Sequence, residues 1–205
     1  GVAYIFMVTK RGIVKKTKLS AFENIRKNGL VAIKLESGDE LAWTKLTSGD
    51  DEILLVTHDG KSIKFSETEV RPTGRDTRGV RGILMKENDY VTSIDIIDEN
   101  AKKANLLTIM ERGIGKQTAV SGFPRQKRGG QGVKVADLKT RTGKVVVSQL
   151  VPEDSEEVIL TSVKGQIVKL PMKSIPRLSR ATSGVILMRF TNKDDSIAAA
   201  TCLTK

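Results

Sequence analysis

Four times along the 205 residues an apolar run, a turn closing on glycine and a lysine-bearing run recur, and no other feature restricts the fold as strongly. The units are YIFMVTKRGIVKKTKL from Tyr4, ILLVTHDGKSIKF from Ile53, LLTIMERGIGKQTAV from Leu106 and VILTSVKGQIVKL from Val158. Their turn glycines, Gly12, Gly60, Gly113 and Gly165, stand 48, 53 and 52 residues apart. A second series, Gly29, Gly82, Gly132 and Gly184, keeps step at 53, 50 and 52. Two markers sharing one period make this a repeat architecture, in which each unit buries its faces against its neighbours.

After the second glycine each unit continues with another apolar run (LVAIKL, ILM, VKV, VILMRF) and ends on a last one (ELAWTKL, VTSIDII, KVVVSQL, IAAATCL). These runs are short, rich in Val, Ile and Thr, and bounded by Gly, Asn and Asp, which is strand chemistry. Asp59-Gly60 is a strong hairpin signal, because the turn needs positive φ and glycine supplies it without steric cost. Leu19 to Gly29 has the look of a short capped helix. Its counterparts carry Pro72, Pro124 and Pro176, which remove backbone donors, so all four segments read as connectors. The expectation is an all-β fold: a β-propeller-like array of four-stranded blades, with repeats at 1–48, 49–101, 102–152 and 153–205 inside a single domain at 1–205. A solenoid is the alternative architecture.

Charge is sorted by loop type. Lys and Arg at 35 against Asp and Glu at 24 leave a net charge of +11, which suits a polyanionic partner and says nothing of fold. The connectors Ser20–Asn28, Ser66–Arg81, Ala119–Gln131 and Ser174–Ser183 hold 11 basic and four acidic residues, a net +7 within 48 residues. The basic residues are Arg26 and Lys27, then Arg71, Arg75, Arg78 and Arg81, then Arg125, Lys127 and Arg128, then Arg177 and Arg180. Lys16, Lys64 and Lys169 fall four places after the turn glycine, and Lys15 and Lys116 three places after it, so these five are expected to extend the same arc. Acids gather instead near the joins between repeats: Asp50, Asp51 and Glu52, then Asp98 and Glu99, then Glu153, Asp154, Glu156 and Glu157, then Asp194 and Asp195. A continuous basic arc, with the acids elsewhere, is the expected electrostatic plan.

Spaced Lys and Arg bind phosphates by releasing condensed counterions, without reading sequence. An arc of them would hold a bent duplex, with preference set by DNA deformability. Aromatics at only 4% speak against single-strand recognition, which stacks bases on rings. A protein-interaction propeller is the competing function.

Enzymatic chemistry has few carriers. His58 is the single histidine and sits in a hairpin turn, a poor general base. Cys202 lies in the run IAAATCL, where a small core residue is the natural reading, and one Cys with one His makes no zinc site. GIGK at Gly113–Lys116 lacks the first glycine and the magnesium-binding hydroxyl of a phosphate loop, since Met110 and Gln117 occupy those places. Gly129-Gly130-Gln131 matches the release-factor tip in three residues only, and Trp43 reads as core packing. With one cysteine, no leader pattern and no apolar run near the roughly 18 residues a membrane span needs, the expected setting is the cytoplasm.

The units Gly12-Ile-Val-Lys-Lys-Thr with Val31-Ala-Ile-Lys-Leu, Ser48-Gly-Asp-Asp-Glu, Thr77-Arg-Gly-Val-Arg-Gly-Ile, Gly115-Lys-Gln-Thr with Lys134-Val, and Ser183-Gly-Val-Ile-Leu closely resemble the C-terminal domain family of the DNA gyrase A subunit. The resemblance covers essentially the whole chain. It implies a β-pinwheel whose blades wrap duplex DNA on a basic rim and so direct negative supercoiling by a type II topoisomerase. It also implies a bacterial, nucleoid-associated setting and a heterotetramer of two A and two B subunits. ATP hydrolysis with magnesium falls to the B subunit, strand cleavage to the N-terminal region of gyrase A, so no cofactor and no catalytic residue is expected here. Tyr4 and Tyr90 have no claim to the cleaving role. The family usually has six blades, and these four resemble the last four. Gln126–Gly132 echoes the family's first-blade box, with Gln131 where the box has a basic residue. The corresponding domain of topoisomerase IV is the alternative within the resemblance.

Overall fold

The structure, a computed structural model, describes residues 3–205, so the first two residues of the opening repeat lie outside the description. The first repeat supplies β1 (Tyr4–Thr9), β2 (Ile13–Lys18) and β3 (Leu41–Thr47). The second supplies β4 (Glu52–Thr57), β5 (Lys61–Ser66), β6 (Val80–Arg81) and β7 (Val91–Ile97). The third supplies β8 (Asn105–Met110), β9 (Ile114–Ala119), β10 (Val133–Lys134) and β11 (Val145–Leu150). The fourth supplies β12 (Ser155–Ser162), β13 (Ile167–Pro171), β14 (Val185–Ile186) and β15 (Ile197–Thr204). Each connector opens with a 3-10 turn, at Leu19–Phe22, Glu67–Glu69, Val120–Gly122 and Met172–Ser174, so none is a capped α-helix.

Repeats and sheets do not coincide. The sheets run β3-β1-β2-β6, β7-β4-β5-β10, β11-β8-β9-β14 and β15-β12-β13, all antiparallel. The outer strand of each of the first three sheets therefore comes from the following repeat. The last sheet has three strands, and the corresponding segment of the first repeat, 30–36, belongs to no strand. The expected four-stranded blades are present in the first three sheets, each completed by a strand from the following repeat.

Glycine makes the exchange sterically feasible. A Cβ at Gly79, Gly132 or Gly184 would stand 2.4, 2.1 or 2.4 Å from the carbonyl oxygen of Val14, Ser62 or Gly115, the residue two places after the turn glycine of the receiving hairpin. Only a residue without Cβ lets the incoming strand lie that close. The second repeat's counterpart of Gly132 and Gly184 is therefore Gly79, and the sequence series that placed Gly82 there is corrected.

The central strands read as unbroken apolar runs because both faces are covered. Along β4, Ile53 and Leu55 pack with Phe6, Val8 and Val14 of the first sheet, while Leu54 and Val56 pack with Leu106, Met110 and Phe123 of the third. Along β8, Leu106 and Met110 face the second sheet, while Leu107 and Ile109 meet Val158 and Leu160 of the fourth. Burying each such side chain is worth about 1.5–3 kcal/mol. Trp43 packs at the edge of the first of these cores. Consecutive sheets also touch through their inner strands, β3 on β7, β7 on β11 and β11 on β15.

Candidate nucleic-acid interface

The connectors leave the sheets at the ends of β5, β9 and β13 and return to the preceding sheet as β6, β10 and β14, so they lie on the side opposite the inner strands. The basic side chains expected in the arc divide into three groups. Arg26, Lys27, Arg71, Arg78, Arg81, Lys127 and Arg177 are exposed, Arg75 is half-buried, and among the described residues none of these eight side chains makes a hydrogen bond or ion pair within the protein. Their charge is free to act outward.

The second group is tied down but not covered. Arg128 donates from Nε to Glu69 O (3.2 Å) and from Nη1 to Arg81 O (2.6 Å), and its backbone N–H donates to Glu69 Oε1 (3.0 Å). Arg180, at the same place in the next repeat, donates from Nε to Gly122 O (2.7 Å) and from Nη1 to Lys134 O (3.1 Å). Each guanidinium bridges from its own connector to the one before and retains further N–H groups for a ligand. Arg125 pairs with Glu52 at 3.2 Å, and Lys169 with Glu157 at 3.5 Å, both on the surface.

The third group overturns an expectation. Lys15, Lys16, Lys64 and Lys116 are 1%, 3%, 8% and 0% exposed, so they do not extend an exposed arc. These four side chains are covered inside the fold, and their ammonium groups meet internal acceptors there. Lys116 Nζ donates to Ser179 O, Arg180 O and Thr182 O at 2.8, 2.9 and 2.7 Å. Lys15 Nζ donates to Thr17 Oγ1, Ala32 O and Arg75 O at 2.8, 2.7 and 3.2 Å. Lys64 Nζ donates to Val120 O (3.3 Å) and Lys16 Nζ to Glu67 O (3.0 Å), with Lys16 also 4.7 Å above the Tyr4 ring. Burial lowers the pKa of Lys15 and Lys64, against the pull of Asp76 and Glu52 respectively. Burial, with Arg180 beside it, brings Lys116 down to about 8.

The acids of the joins do not stand apart from the connectors. Ser48, Asp50, Asp51, Glu52 and Glu99 line one cleft with Lys64, Lys102 and Arg125. Glu67, in the second connector, accepts from the backbone N–H of Gly49 (3.2 Å) and Asp51 (2.8 Å) in the join. The clean separation of sign expected from the sequence is thus broken where β4 and β5 bring a join and a connector to the same end of the sheet. The loop Arg125–Gly132 is stitched onto the second repeat, with Gln126 N–H on Lys64 O (2.7 Å), Gly129 N–H on Gly82 O (2.8 Å) and Leu84 N–H on Gly130 O (2.9 Å).

His58 is held by its Nδ1 at 2.9 Å from Val145 O and stacks on Tyr90 at 4.6 Å. Cys202 is a free, half-buried thiol within β15. Among the described residues no group of three His, Cys, Asp or Glu side chains is placed to hold a metal, and no helix is long and apolar enough to cross a membrane.

Strand-exchanged β-units in series, with the excess positive charge carried on their connectors, define a propeller-type repeat protein. The family model described as DNA gyrase C-terminal domain, beta-propeller, matches residues 3–48, 51–98, 104–149 and 156–204, and the chain belongs to that family. It is 40% identical to the DNA gyrase A subunit of Aminobacterium colombiense over all of this chain and 24% of that protein. It is 40% identical to the DNA gyrase A subunit of Pseudomonas aeruginosa over 94% of this chain and 20% of that protein. The chain thus spans about a quarter or less of these relatives' length. Among solved structures, a DNA gyrase A C-terminal domain superposes with a TM-score of 0.82 at 25% identity, covering 98% of this chain and 66% of that one. A DNA topoisomerase IV C-terminal domain superposes with a TM-score of 0.88 at 27% identity, covering 98% and 62%.

Proposed function

We propose that this chain binds and bends duplex DNA without reading its sequence, as the accessory domain that directs negative supercoiling by a DNA gyrase. Membership of the gyrase C-terminal domain family supports the setting. The observation that carries the binding role is the set of eight connector cations that make no bond inside the protein, while Lys15, Lys16, Lys64 and Lys116 of the strands are consumed internally. Unpaired guanidinium and ammonium groups on successive connectors meet phosphates without base readout, and the bonding of the connectors to the preceding repeat fixes their spacing. On this reading strand cleavage is assigned to the N-terminal region of gyrase A, ATP hydrolysis to the B subunit, its partners in the heterotetramer.

The test is a titration of duplex DNA across ionic strength. Binding is expected to weaken steeply with salt, and replacing Arg75, Arg78 and Arg81 by Gln should weaken it for every sequence alike and flatten the slope by about one unit for each phosphate no longer neutralised. Salt-insensitive or absent duplex binding removes the reading in favour of a protein-interaction propeller.

A further inference from the structure

Lys116 cannot touch a phosphate, since its side chain is 0% exposed, yet its ammonium sits directly beneath a basic connector. We propose that Lys116, and Lys15 two repeats earlier, are positioning residues for duplex binding: each buried ammonium gathers the backbone of a connector and so sets where that connector presents its arginines. The proposal rests on the duplex-binding reading and adds to it residues that act without meeting the DNA.

An ammonium has three protons and no acceptor, and burying it is costly unless all three are met. At Lys116 three carbonyl oxygens converge on Nζ, those of Ser179, Arg180 and Thr182. The Thr182 hydroxyl lies 3.2 Å from Nζ and donates to Ser179 O at 2.7 Å, closing the loop on itself. Three carbonyls can point at one nitrogen in few backbone conformations, so the cation selects one of them for residues 179–182. From that backbone the Arg180 side chain crosses to Gly122 and Lys134, which leaves Arg177 exposed and unpaired beside it. Lys15 does the same for the second connector by holding Arg75 O, and ties to it the segment at Ala32.

The other two repeats show that this is a device and not a requirement of the fold. Ile63 and Val168 occupy the place of Lys15 and Lys116, three residues after the turn glycine. At the Ile63 place the third connector is held by other groups, the Lys64 ammonium on Val120 O and Glu69 Oε1 accepting from the Arg128 N–H. An apolar side chain thus stands at this place in the second repeat, where other groups hold the connector, and in the fourth, whose sheet receives no outer strand.

The test is a double-mutant cycle on duplex affinity, read together with amide hydrogen exchange. Lys116→Met is expected to weaken duplex binding about tenfold and to expose the amides of residues 179–182 to exchange. In a chain already carrying Arg177→Gln and Arg180→Gln, the same substitution should change affinity less than about twofold, because the groups it positions are gone. Losses that add in full, or an affinity unchanged by Lys116→Met despite faster exchange at 179–182, overturn the proposal. Should Lys116→Met fail to fold, Thr182→Ala removes part of the cage with no change of charge. It should weaken binding about threefold at an unchanged salt slope, with Thr182→Ser restoring it, and no loss with Thr182→Ala overturns the proposal. The wild-type titration isolates the other failure: a chain that binds no duplex at all removes the reading on which the proposal stands.

Discussion

Glu67 has no exposed surface, and its carboxylate is ringed by donors from two repeats. It accepts from the Thr47 hydroxyl at 2.9 Å and from the amides of Gly49 and Asp51, while Lys16 Nζ lies 3.4 Å from Oε1. Removing one member of such a buried pair leaves the other charge stranded, so Glu67→Ala should cost about 3–5 kcal/mol, read as a fall in the denaturant midpoint. A loss under about 1 kcal/mol would show that water reaches Lys16. Asp95 is the opposite case. Burial lifts its pKa to about 6, against the Leu150 N–H and the charge of Lys45, and its Oδ2 has no partner. A carboxyl raised in the folded state favours folding once protonated, so its share of stability grows as pH falls from about 6 towards its ordinary value and is lost above it. Asp95→Asn should flatten stability against pH in that window, measured by thermal unfolding at several pH values. The sequence contained a signal for the misassigned lysines. Lys15 and Lys116 share their place with Ile63 and Val168, and a position that takes Ile or Val in other repeats points inward. Lys16, Lys64 and Lys169 share theirs with Gln117, and whether such a side chain is covered depends on the neighbouring sheet: Lys169, in the last sheet, is exposed. Counting charge along the chain cannot see that dependence.

At the scale of elements, the hairpins were legible because they are local: a turn glycine at φ +83 in Gly60, between two runs that pair with each other. The exchanged outer strands were not. Each is two residues long and pairs with a hairpin that begins 76 to 81 residues earlier in the chain, so neither periodicity nor turn chemistry announces its partner. What marks it is the glycine before it, once the close approach is known. Gly184 has φ +105 and a Cβ there would meet Gly115 O at 2.4 Å, backbone that cannot move aside without breaking the third sheet. Gly184→Ala should therefore cost about 2–3 kcal/mol. Hydrogen exchange should show Val185 and Ile186 losing protection while the β8–β9 hairpin keeps its own. Equal loss across the hairpin would mean that the outer strand and the sheet fold as one unit.

Taken whole, the molecule is a series of sheets, each bonded and packed to the next, with the connectors following the same order along one side. In such an array neighbours interact and distant units do not, so binding groups add along its length. The free cations are distributed accordingly: Arg26 and Lys27 on the first connector, four arginines on the second, Lys127 on the third and Arg177 on the fourth. A duplex short enough to meet one connector would release few counterions, and a longer one would release more as it reaches each further connector. On the proposed reading the salt dependence of binding should then steepen with duplex length and level off once the duplex spans all the connectors. Bending follows only if the rim is curved relative to the duplex, and then flexible pyrimidine–purine steps should raise affinity at fixed length. Measuring the slope for a ladder of duplex lengths checks the first point, and comparing stiff with flexible sequences checks the second. A slope that does not change with length would confine binding to a single connector, with the second, the most heavily charged, as the one to mutate first.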